Sequence, residues 1–326
     1  MAVKILGTGS YLPPNVVTNE DLAKTLDTSD EWIFSHSGIH ARHIVGPEEG
    51  SASMAVQSGK AALAAAGVSA DEIDLLLLAT CTADYMLPST AALVQRDLGC
   101  SRAFAFDLAA ACSGFVYGLE MARSFLTLHR DAKVLVIGAE TLSRIVDWKD
   151  RGSCILFGDG SGAAVLGWCD DDVGDVCHTY LRTDGSGYEV LLREGGVHRP
   201  VTDEPRPAPF LQMAGKPVFQ FAVKVMPQVV ETLCAEAKIA TSDIDLFIPH
   251  QANIRIIDSA AKRLGILRER VFVNIETVAN TSSASIPLAI DEAVRTGVLK
   301  PGMNVCFVGF GAGLTYGGIL TRWPYL

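Results

Sequence analysis

The segments Glu72-Ile73-Asp74-Leu75-Leu76-Leu77 and Asp243-Ile244-Asp245-Leu246-Phe247-Ile248 share one pattern, in which acidic residues lead into an apolar run. A second pair, Val134-Leu135-Val136-Ile137-Gly138 and Val305-Cys306-Phe307-Val308-Gly309, is separated by the same 171 positions. One match between short apolar runs arises easily by chance, but two matches in the same register indicate an internal duplication. The sequence therefore predicts a fold made of two similar halves.

Apolar runs alternate with alanine-rich helical stretches along the chain. This alternation is typical of parallel strands that crossing helices bury on both faces, so the predicted class is α/β. We assign the halves to residues 1–170 and 171–326. Periodicity is weakest over 185–209, where the boundary between the halves is expected and where the chain can also form a loop over the site. The predicted strands are 3–6, 75–79, 134–138, 163–166, 246–248 and 305–308.

Composition limits the classes of partner. Of the 326 residues, 49% are hydrophobic, and no uncharged apolar stretch reaches the roughly 18 residues that a membrane span needs. The formal charge of −10 argues against a general nucleic-acid binder, because phosphate contacts need clustered lysine and arginine. The N-terminus lacks a signal-peptide pattern and the eight cysteines show no metal-ligand spacing, so we expect free thiols and a cytoplasmic location.

Cys112 follows the small residues Ala109, Ala110 and Ala111, and helix-compatible sequence continues after Gly114. This setting predicts a nucleophile at a helix N-terminus, where the peptide dipoles favour a thiolate and lower the pKa of the thiol below its free value of about 8.5. The alternative is a buried, inert cysteine, which is a common state of free cysteine. Two distant segments favour the nucleophile.

His250 and Asn280 complete the set of candidate catalytic residues. His250 lies in Pro249-His250-Gln251-Ala252-Asn253, at the end of a predicted strand, and Asn280 begins the segment 280–287. Each residue alone is typical of a structural position, a turn or a cap. At the offset of the duplication Cys112 corresponds to Ser283, three positions past Asn280, so the two turns are expected on one side of the fold.

A thiolate beside the neutral donors of His250 and Asn280 suits acyl transfer followed by carbon–carbon bond formation. Capture of the acyl group needs an oxyanion hole, for which the backbone N–H groups of Cys112 and of the turn 309–313 are natural donors. The second step needs an enolate held by two fixed donors while carboxylate is lost. A cysteine protease also uses cysteine, histidine and asparagine, so these residue types alone do not exclude that class.

Several motifs resemble the ketoacyl-acyl-carrier-protein synthases III of the thiolase superfamily, over essentially the whole chain. The resemblance implies a homodimer with a thiolase-like five-layer αβαβα fold made of two pseudo-duplicated halves, the first with the cysteine and the second with the histidine and asparagine. The motifs are residues 7–13, 28–33, 110–115 and 157–163, the segments of His250 and Asn280, and residues 309–317.

The resemblance implies an acyltransferase that moves an acyl primer from acyl-CoA to Cys112 and condenses it with malonyl-acyl-carrier protein. Carbon dioxide leaves, and the 3-ketoacyl-acyl-carrier protein that forms initiates fatty-acid synthesis. In the family the cysteine is the nucleophile, the histidine and asparagine promote decarboxylation and hold the enolate, and backbone amides at Cys112 and Ala312 form the oxyanion hole. Acyl-CoA and the carrier protein are substrates, and no cofactor, metal, membrane or nucleic acid is implied.

The same resemblance assigns residues to the substrate path. Trp32 is expected to stack on the CoA adenine and Arg151 to bind the nucleotide. The expected lining of the pantetheine tunnel is Thr28, Gly215, Phe219 and Asn253.

Two further features concern the carrier protein and the primer. The resemblance implies that a docking patch for the acidic carrier protein is formed by Arg255, Lys262 and Arg263. From their spacing alone, a solvated charged helix face without a partner is an equally good interpretation. By the same resemblance Leu87 stands where members of the family carry a bulky residue that reaches across the dimer and closes the acyl pocket. Because leucine is smaller than phenylalanine, a longer or branched primer is conceivable.

His36 and His40 depart from the family pattern, which has arginine at both positions. Two permanent charges are lost near the nucleotide, since histidine is largely neutral at pH 7. We expect weaker acyl-CoA recognition, with an acyl-carrier-protein donor as the alternative, and a low Michaelis constant for acetyl-CoA would contradict this. With His43 the spacing resembles a helical metal site, but Gly38 weakens the helix and no carboxylate or cysteine ligand accompanies these residues.

Other classes of protein account for less of the sequence. A dinucleotide-dependent oxidoreductase is indicated only by the glycine-rich turn 309–313, and the chain ends before an acidic ribose ligand about 20 residues on. A non-catalytic acyl-carrier or scaffold protein is disfavoured by the intact Cys112, His250 and Asn280. A starter-unit or acyl-transfer enzyme of polyketide or quinolone biosynthesis would share every catalytic residue, so the sequence leaves that alternative open.

Overall fold

The structure is a computed structural model that describes residues 2–169, 176–194 and 210–324. The strands are β1 Ala2–Tyr11, β2 Asn15–Thr18, β3 Ala41–Ile44, β4 Leu75–Ala79, β5 Phe104–Leu108, β6 Lys133–Thr141, β7 Asp159–Cys169, β8 Val176–Thr183, β9 Leu191–Arg193, β10 Leu211–Met213, β11 Leu246–Pro249, β12 Asn304–Gly311 and β13 Thr315–Arg322. The helices are α1 Asn19–Ala23, α2 Asp30–Ser37, α3 Ser51–Ala66, α4 Thr90–Leu98, α5 Gly114–Leu128, α6 Gly215–Ala237, α7 Ile254–Leu264, α8 Ile275–Val278 and α9 Ser285–Arg295. All six predicted strands lie within observed strands.

The first sheet has the strand order β1-β7-β6-β4-β5. Strand β4 runs parallel to both of its neighbours, and β7 runs antiparallel to β6 and β1. Every residue of β4 is buried, because helices cover both faces of this sheet and an all-apolar strand can only be stable there. Among the described residues β5 pairs on one side only and is the edge of the sheet.

The second sheet repeats this arrangement in the order β11-β12-β13-β8. Strands β11 and β12 are parallel, and β13 is antiparallel to β12 and β8. A single parallel bridge from Phe247 to Val271 extends the sheet on the side where the first sheet has β5. The two sheets therefore share the pairing pattern of their central strands.

Helices separate and cover the two sheets. Helices α5 and α9 touch both sheets and form the middle layer, while α3 and α4 cover the first sheet and α6 and α7 the second. This is the five-layer αβαβα order that the family resemblance implied. Helix α6 is apolar and long enough to cross a membrane by length and composition alone, but its residues from Ala222 to Cys234 contribute to a core cluster with β11 and β12.

The duplication is visible in the short turns as well as in the strands. A 3₁₀ turn, Ala111–Ser113, leads into α5, and a 3₁₀ turn exactly 171 positions later, Ser282–Ala284, leads into α9. Both turns begin with a non-glycine residue at positive φ, 45° at Ala111 and 50° at Ser282. Such values are rare outside glycine, so the two halves share an unusual local geometry.

The chain changes sheets between β7 and β8. Strand β7 ends at Cys169 in the first sheet, and β8 already pairs in the second. The boundary that was expected over 185–209 is therefore wrong, because the second sheet begins before that stretch. Residues 195–209 of the stretch lie outside the described residues, and the division into 1–170 and 171–326 remains a proposal that this change of sheets supports.

Candidate active site

A cavity of about 290 Å³ collects side chains from both halves of the fold. Cys112, His250 and Asn280, which are far apart in sequence, all line it. Ala312 and three of the residues expected in the tunnel, Gly215, Phe219 and Asn253, line the same cavity. The catalytic set and part of the expected substrate path therefore occupy one continuous space.

Cys112 lies in the 3₁₀ turn between β5 and α5, immediately after the strained Ala111. The end of β12 passes directly behind it. A Cβ atom built on Gly311 would lie 2.6 Å from the Cys112 backbone nitrogen and 3.1 Å from its Cβ, so only glycine permits this approach. The close approach brings the backbone that leads into Ala312 next to the backbone amide of Cys112.

The expected lowering of the Cys112 pKa is wrong. Burial raises the pKa of this thiol to about 12, and the charge of Glu140 acts in the same direction. A hydrogen bond with the Ser282 hydroxyl and one with the Cys112 backbone oppose the shift without reversing it. Desolvation of the thiolate in the cavity is the largest of these effects, so the neutral thiol is the favoured resting form.

His250 follows the last residue of β11, and its backbone N–H donates to Val308 of β12 at 2.8 Å. The imidazole packs edge-on against Phe310, with ring centroids 5.4 Å apart. Burial lowers the pKa of His250 to about 3, because no charge compensates an imidazolium there. Its Nδ1 is buried without a hydrogen-bond partner among the described residues, which leaves a neutral ring with unused polar capacity at the cavity wall.

Asn280 is held by its main chain and by its side chain. Its backbone N–H donates to Leu156, and its carbonyl oxygen accepts the N–H of Gly158, both at 3.0 Å. The side-chain Oδ1 accepts the backbone N–H of Ser282 at 2.9 Å. Since that oxygen is occupied, the Nδ2 group is the part of the amide that is free to serve a ligand in the cavity.

Asn253 lines the cavity and connects helix α7 to helix α2. Its Oδ1 caps α7 by accepting the N–H of Arg255 at 2.9 Å, and its Nδ2 donates to the carbonyl oxygen of His36 at 2.9 Å. Trp32, Thr28 and Arg151 do not line the cavity, although Gly152 does. The Thr28 hydroxyl is buried and has no partner in the described parts of the chain.

Trp32 and Arg151 meet at the surface near the cavity. The Arg151 guanidinium lies over the indole ring at 4.8 Å from its centroid, and it also forms an ion pair with Asp27 at 3.6 Å. His36 stacks against Trp32 with centroids 4.5 Å apart. The family resemblance assigned both residues to the CoA nucleotide, and the structure places them in contact, while their role in binding a nucleotide remains a prediction.

The three histidines of 36–43 make separate contacts. His36 Nδ1 is 2.7 Å from the Trp32 carbonyl oxygen, His40 Nδ1 is 2.7 Å from Asp30, and His43 Nδ1 is 2.6 Å from the Pro13 carbonyl oxygen. Helix α2 ends at Ser37, with Gly38 in the left-handed conformation as its C-cap. His40 and His43 therefore do not continue the helix of His36.

Leu87 does not line the cavity of its own chain and is 87% exposed. This exposure agrees with the expectation that it acts across a dimer, which remains a prediction. Arg255, Lys262 and Arg263 are exposed on α7, and Arg263 is 3.4 Å from Glu231 of α6. The basic patch therefore exists as a surface, although one of its three cations has an acidic neighbour.

Sequence reasoning missed several residues of the site. Cys81 and Ser282 line the cavity, and the buried Glu140 bonds to both. Arg193 also lines the cavity, together with apolar residues of β9 and β10. A buried glutamate inside an apolar strand was the one available signal, whereas the β9 and β10 residues carried none. Strands β9 and β10 therefore form part of the cavity wall, whereas the loop over the site that was expected within 185–209 remains a prediction, because residues 195–209 lie outside the described residues.

The site has a cysteine turn between two sheets, a neutral histidine and an oriented asparagine. These features define a thiolase-fold condensing enzyme. Comparison with known proteins agrees. The family profile described as "3-Oxoacyl-[acyl-carrier-protein (ACP)] synthase III" matches residues 106–185, and the profile of its C-terminal part matches residues 234–323. A beta-ketoacyl-[acyl-carrier-protein] synthase III of Natranaerobius thermophilus is 47% identical over 98% of this chain and 99% of its own length.

Solved structures give the same result. The 3-oxoacyl-[acyl-carrier-protein] synthase III of Aquifex aeolicus superimposes with a TM-score of 0.93 at 44% identity, covering 99% of this chain and all of the other. A priming beta-ketosynthase from the R1128 polyketide biosynthetic pathway has a TM-score of 0.92 at 37% identity, covering 99% and 96%. The chain belongs to the beta-ketoacyl-[acyl-carrier-protein] synthase III family and is an acyltransferase of the condensing type.

Proposed function

We propose that the enzyme transfers an acyl primer from acyl-CoA to Cys112 and condenses it with malonyl-acyl-carrier protein, which starts fatty-acid synthesis. The observation that carries this proposal is the single cavity in which Cys112, His250 and Asn280 meet, in a member of this family. A starter-unit enzyme of a specialised pathway would use the same residues. The higher identity to the fatty-acid enzymes favours the primary pathway.

The first half-reaction uses Cys112 as the nucleophile. The sulfur attacks the thioester carbonyl of acyl-CoA. The tetrahedral oxyanion that forms accepts hydrogen bonds from the backbone N–H groups of Cys112 and Ala312. CoA then leaves as its thiol, with the proton that Cys112 gives up. Because burial holds the resting thiol protonated, the thiolate forms only as the acyl donor arrives. A thiol that is enclosed and protonated at rest is protected from unproductive reactions with electrophiles dissolved in water.

The second half-reaction uses His250 and Asn280 as donors. Malonyl-acyl-carrier protein loses carbon dioxide, and the enolate oxygen accepts hydrogen bonds from the imidazole and from Asn280 Nδ2. The enolate carbon then attacks the Cys112 thioester and expels the sulfur. The lowered pKa of His250 keeps the ring neutral at physiological pH, so it acts as a hydrogen-bond donor and carries no positive charge.

The acyl-CoA path runs from the Trp32 and Arg151 patch to the cavity. The adenine stacks on Trp32 and the Arg151 guanidinium binds the nucleotide. The pantetheine arm passes Thr28, whose buried hydroxyl has no partner in the described residues, and then Gly215, Phe219 and Asn253. His36 and His40 supply less permanent positive charge than arginine, which weakens recognition of the CoA phosphates and leaves an acyl-carrier-protein donor as the alternative.

The carrier protein docks on α7 near the same entrance. Arg255 is next to the helix cap Asn253, which lines the cavity, so a carrier bound to this helix has a short route for its pantetheine arm. Lys262 and Arg263 extend the positive surface along the helix. Phosphate and carboxylate groups of an acidic partner are attracted to such a surface even though the whole chain carries a charge of −10.

A homodimer in the cytoplasm is the form in which we expect this enzyme to work. Strand β5 is an open edge in the described residues, and it presents Phe104 and Phe106, which are 52% and 43% exposed. An edge strand with exposed aromatic side chains is suited to pairing with a second copy. Pairing there also brings the exposed Leu87 of each chain towards its partner.

The proposal is tested by offering a panel of acyl-CoAs and acyl-carrier proteins and recording two products. Intact-mass measurement is expected to show one acyl adduct, mapped to Cys112, and addition of malonyl-acyl-carrier protein is expected to yield a 3-ketoacyl product. Cys112→Ser loses both products. Cys169→Ser is the matched control because Cys169 is a free cysteine outside the cavity, and it retains both. Absence of any Cys112 adduct would favour a scaffold protein instead.

A further inference from the structure

Glu140, near the end of β6, is a fully buried carboxylate that the proposed reaction does not use. Within the described residues no lysine, arginine or histidine compensates its charge. Burying a carboxylate without a cation costs free energy unless strong hydrogen bonds replace those of water. The partners of Glu140 therefore indicate what this side chain is for.

The two carboxylate oxygens together bind both halves of the fold, and the Cys81 backbone N–H is shared between them. Oε2 accepts the Thr82 hydroxyl at 2.6 Å and the Cys81 backbone N–H at 3.1 Å, both in the segment after β4. Oε1 accepts the Ser283 hydroxyl at 2.7 Å and the Ser282 hydroxyl at 3.2 Å, both in the turn after Asn280. Glu140 thus joins a loop of the first half to the asparagine turn of the second.

The asparagine turn needs such support because its backbone is strained. Ala279 and Ser282, on either side of Asn280, have positive φ values of 58° and 50°. Non-glycine residues persist in that region only when their surroundings over-determine it. The N–H of Ser282 also binds Asn280 Oδ1, so a rotation of Ser282 would release the amide that the reaction needs.

We propose that Glu140 is a positioning residue for the condensing half-reaction, because it holds Ser282 and Ser283 and thereby fixes the direction of the Asn280 Nδ2 donor. The inference rests on the proposed function, in which that donor holds the enolate. Asn280 has no part in capturing the acyl group on Cys112. Loss of Glu140 is therefore expected to slow condensation. The charge of Glu140 also raises the pKa of the Cys112 thiol, so its removal is not expected to slow acylation.

Glu140→Gln is the informative substitution because it keeps the size of the side chain. Its amide oxygen can still accept the Cys81 N–H, while its NH₂ group must then face the serine hydroxyls. A hydroxyl can turn to accept from that group, so the fold tolerates the change, but the strong charged hydrogen bonds to the turn become neutral ones. The turn is then less firmly held.

The test measures the two half-reactions separately in single-turnover experiments. The acyl-CoA that acylates the wild-type enzyme fastest loads Cys112, followed by intact mass, and malonyl-acyl-carrier protein is then added to the loaded enzyme. In Glu140→Gln we expect condensation to slow about 10- to 100-fold, the usual effect of misplacing a catalytic group, and acylation to change less than about threefold. Equal losses in both steps, or unchanged condensation, would overturn the proposal.

Two further variants keep the result interpretable. Ser283→Ala removes a 2.7 Å bond to Glu140 and leaves every expected catalytic residue in place, so it should reproduce the selective loss on condensation even where Glu140→Gln folds poorly. Asp291→Asn is the matched control, since Asp291 is also buried and binds Thr8 and Arg295 away from the cavity. In Asp291→Asn the ratio of the condensation rate to the acylation rate should equal that of the wild type.

Failure of this inference differs from failure of the proposed function. If the wild-type enzyme forms neither the Cys112 adduct nor the 3-ketoacyl product, the function is wrong. If the wild type performs both steps and neither Glu140→Gln nor Ser283→Ala changes their ratio, the role of Glu140 is wrong and the function stands.

Discussion

Cys112 and His250 share one physical environment, and both are driven towards their neutral forms. Burial raises the pKa of the thiol to about 12 and lowers the pKa of the imidazole to about 3. Both shifts have the same cause, since a charge loses its hydration in an enclosed cavity. A neutral resting site explains how one space can first admit a thioester and later stabilise an enolate with uncharged donors.

The raised pKa of Cys112 predicts the pH dependence of its chemical reactivity. Below a pKa of about 12 the thiolate fraction grows tenfold with each pH unit, so alkylation of the free enzyme by iodoacetamide should accelerate about tenfold per unit from pH 7 to 9 without a plateau. The measurement is peptide-level mass spectrometry of the Cys112 adduct, because other cysteines also react.

Free cysteine in the same buffer is the reference for that experiment, since its pKa of about 8.5 makes its rate level off above that pH. The Cys112→Ser variant identifies the peptide. A rate for Cys112 that levels off at or below pH 8 would mean that the helix N-terminus dominates over burial, as the sequence alone had indicated.

At the residue scale the sequence predicted which side chains meet in the cavity but not their electrostatics. Cys112, His250 and Asn280 were predicted from their turns, and the structure brings them into one cavity. The predicted direction of the Cys112 pKa shift was wrong, because a helix N-terminus can be inferred from a sequence and the burial of a side chain cannot. Glu140 was missed for the same reason, since the residues that it contacts lie 58 to 143 positions away in the sequence and are adjacent only in space.

Strands that are buried on both faces were the most predictable elements. Runs such as the one in β4 are apolar throughout, and that pattern is specific to strands covered by helices. The short strands β2, β3, β9 and β10 carry no such pattern because they are half-buried pairs at the surface of the fold. Strand β5 was also missed, since its exposed edge residues break the apolar run.

The end of β12 gives a prediction at the scale of elements. In Gly311→Ala the new Cβ would meet the Cys112 backbone nitrogen at 2.6 Å, so the strand and the nucleophile turn must separate. We expect acylation of Cys112 to slow about 10- to 100-fold per folded molecule, because the oxyanion donors move with the backbone. Intact-mass kinetics measure the acylation, and thermal unfolding measures the folded fraction.

Gly67→Ala is the matched control for Gly311→Ala. Gly67 caps α3 at φ 63° with no atom within 4 Å of the new Cβ, so its alanine variant is strained but touches nothing in the cavity. It should lower stability and leave the acylation rate of the folded enzyme unchanged. Similar acylation rates for the two variants would show that the approach of β12 to Cys112 is unimportant.

Over the whole molecule, the duplication explains how two equivalent turns acquired different roles. The turn of the first half carries Cys112, and the equivalent position of the second half carries Ser283, which is bonded to Glu140. Gly138 and Gly309 are equivalent as well, and each allows its strand to approach the turn of the other half. The sequence predicted this symmetry from strand patterns alone. That each strand passes behind the turn of the other half could be seen only in the structure.

The open edge of β5 predicts the assembly of two chains. If the exposed Phe104 and Phe106 pair with a second copy, the wild type should sediment at twice the chain mass of 34.7 kDa, and the doubly substituted Phe104→Asp, Phe106→Asp protein should sediment as a monomer. Like charges facing each other across an apolar interface are strongly unfavourable. Analytical ultracentrifugation distinguishes the two states directly.

Leu267→Asp is the control for added surface charge, because Leu267 is 58% exposed and lies after α7, away from β5. It should remain a dimer. The monomeric variant should also lose acyl-chain selectivity across a primer panel if Leu87 of one chain closes the pocket of the other, since that residue does not line the active-site cavity of its own chain. A double-aspartate protein that still sediments as a dimer would place the interface elsewhere, and unchanged selectivity in a true monomer would remove Leu87 from the pocket.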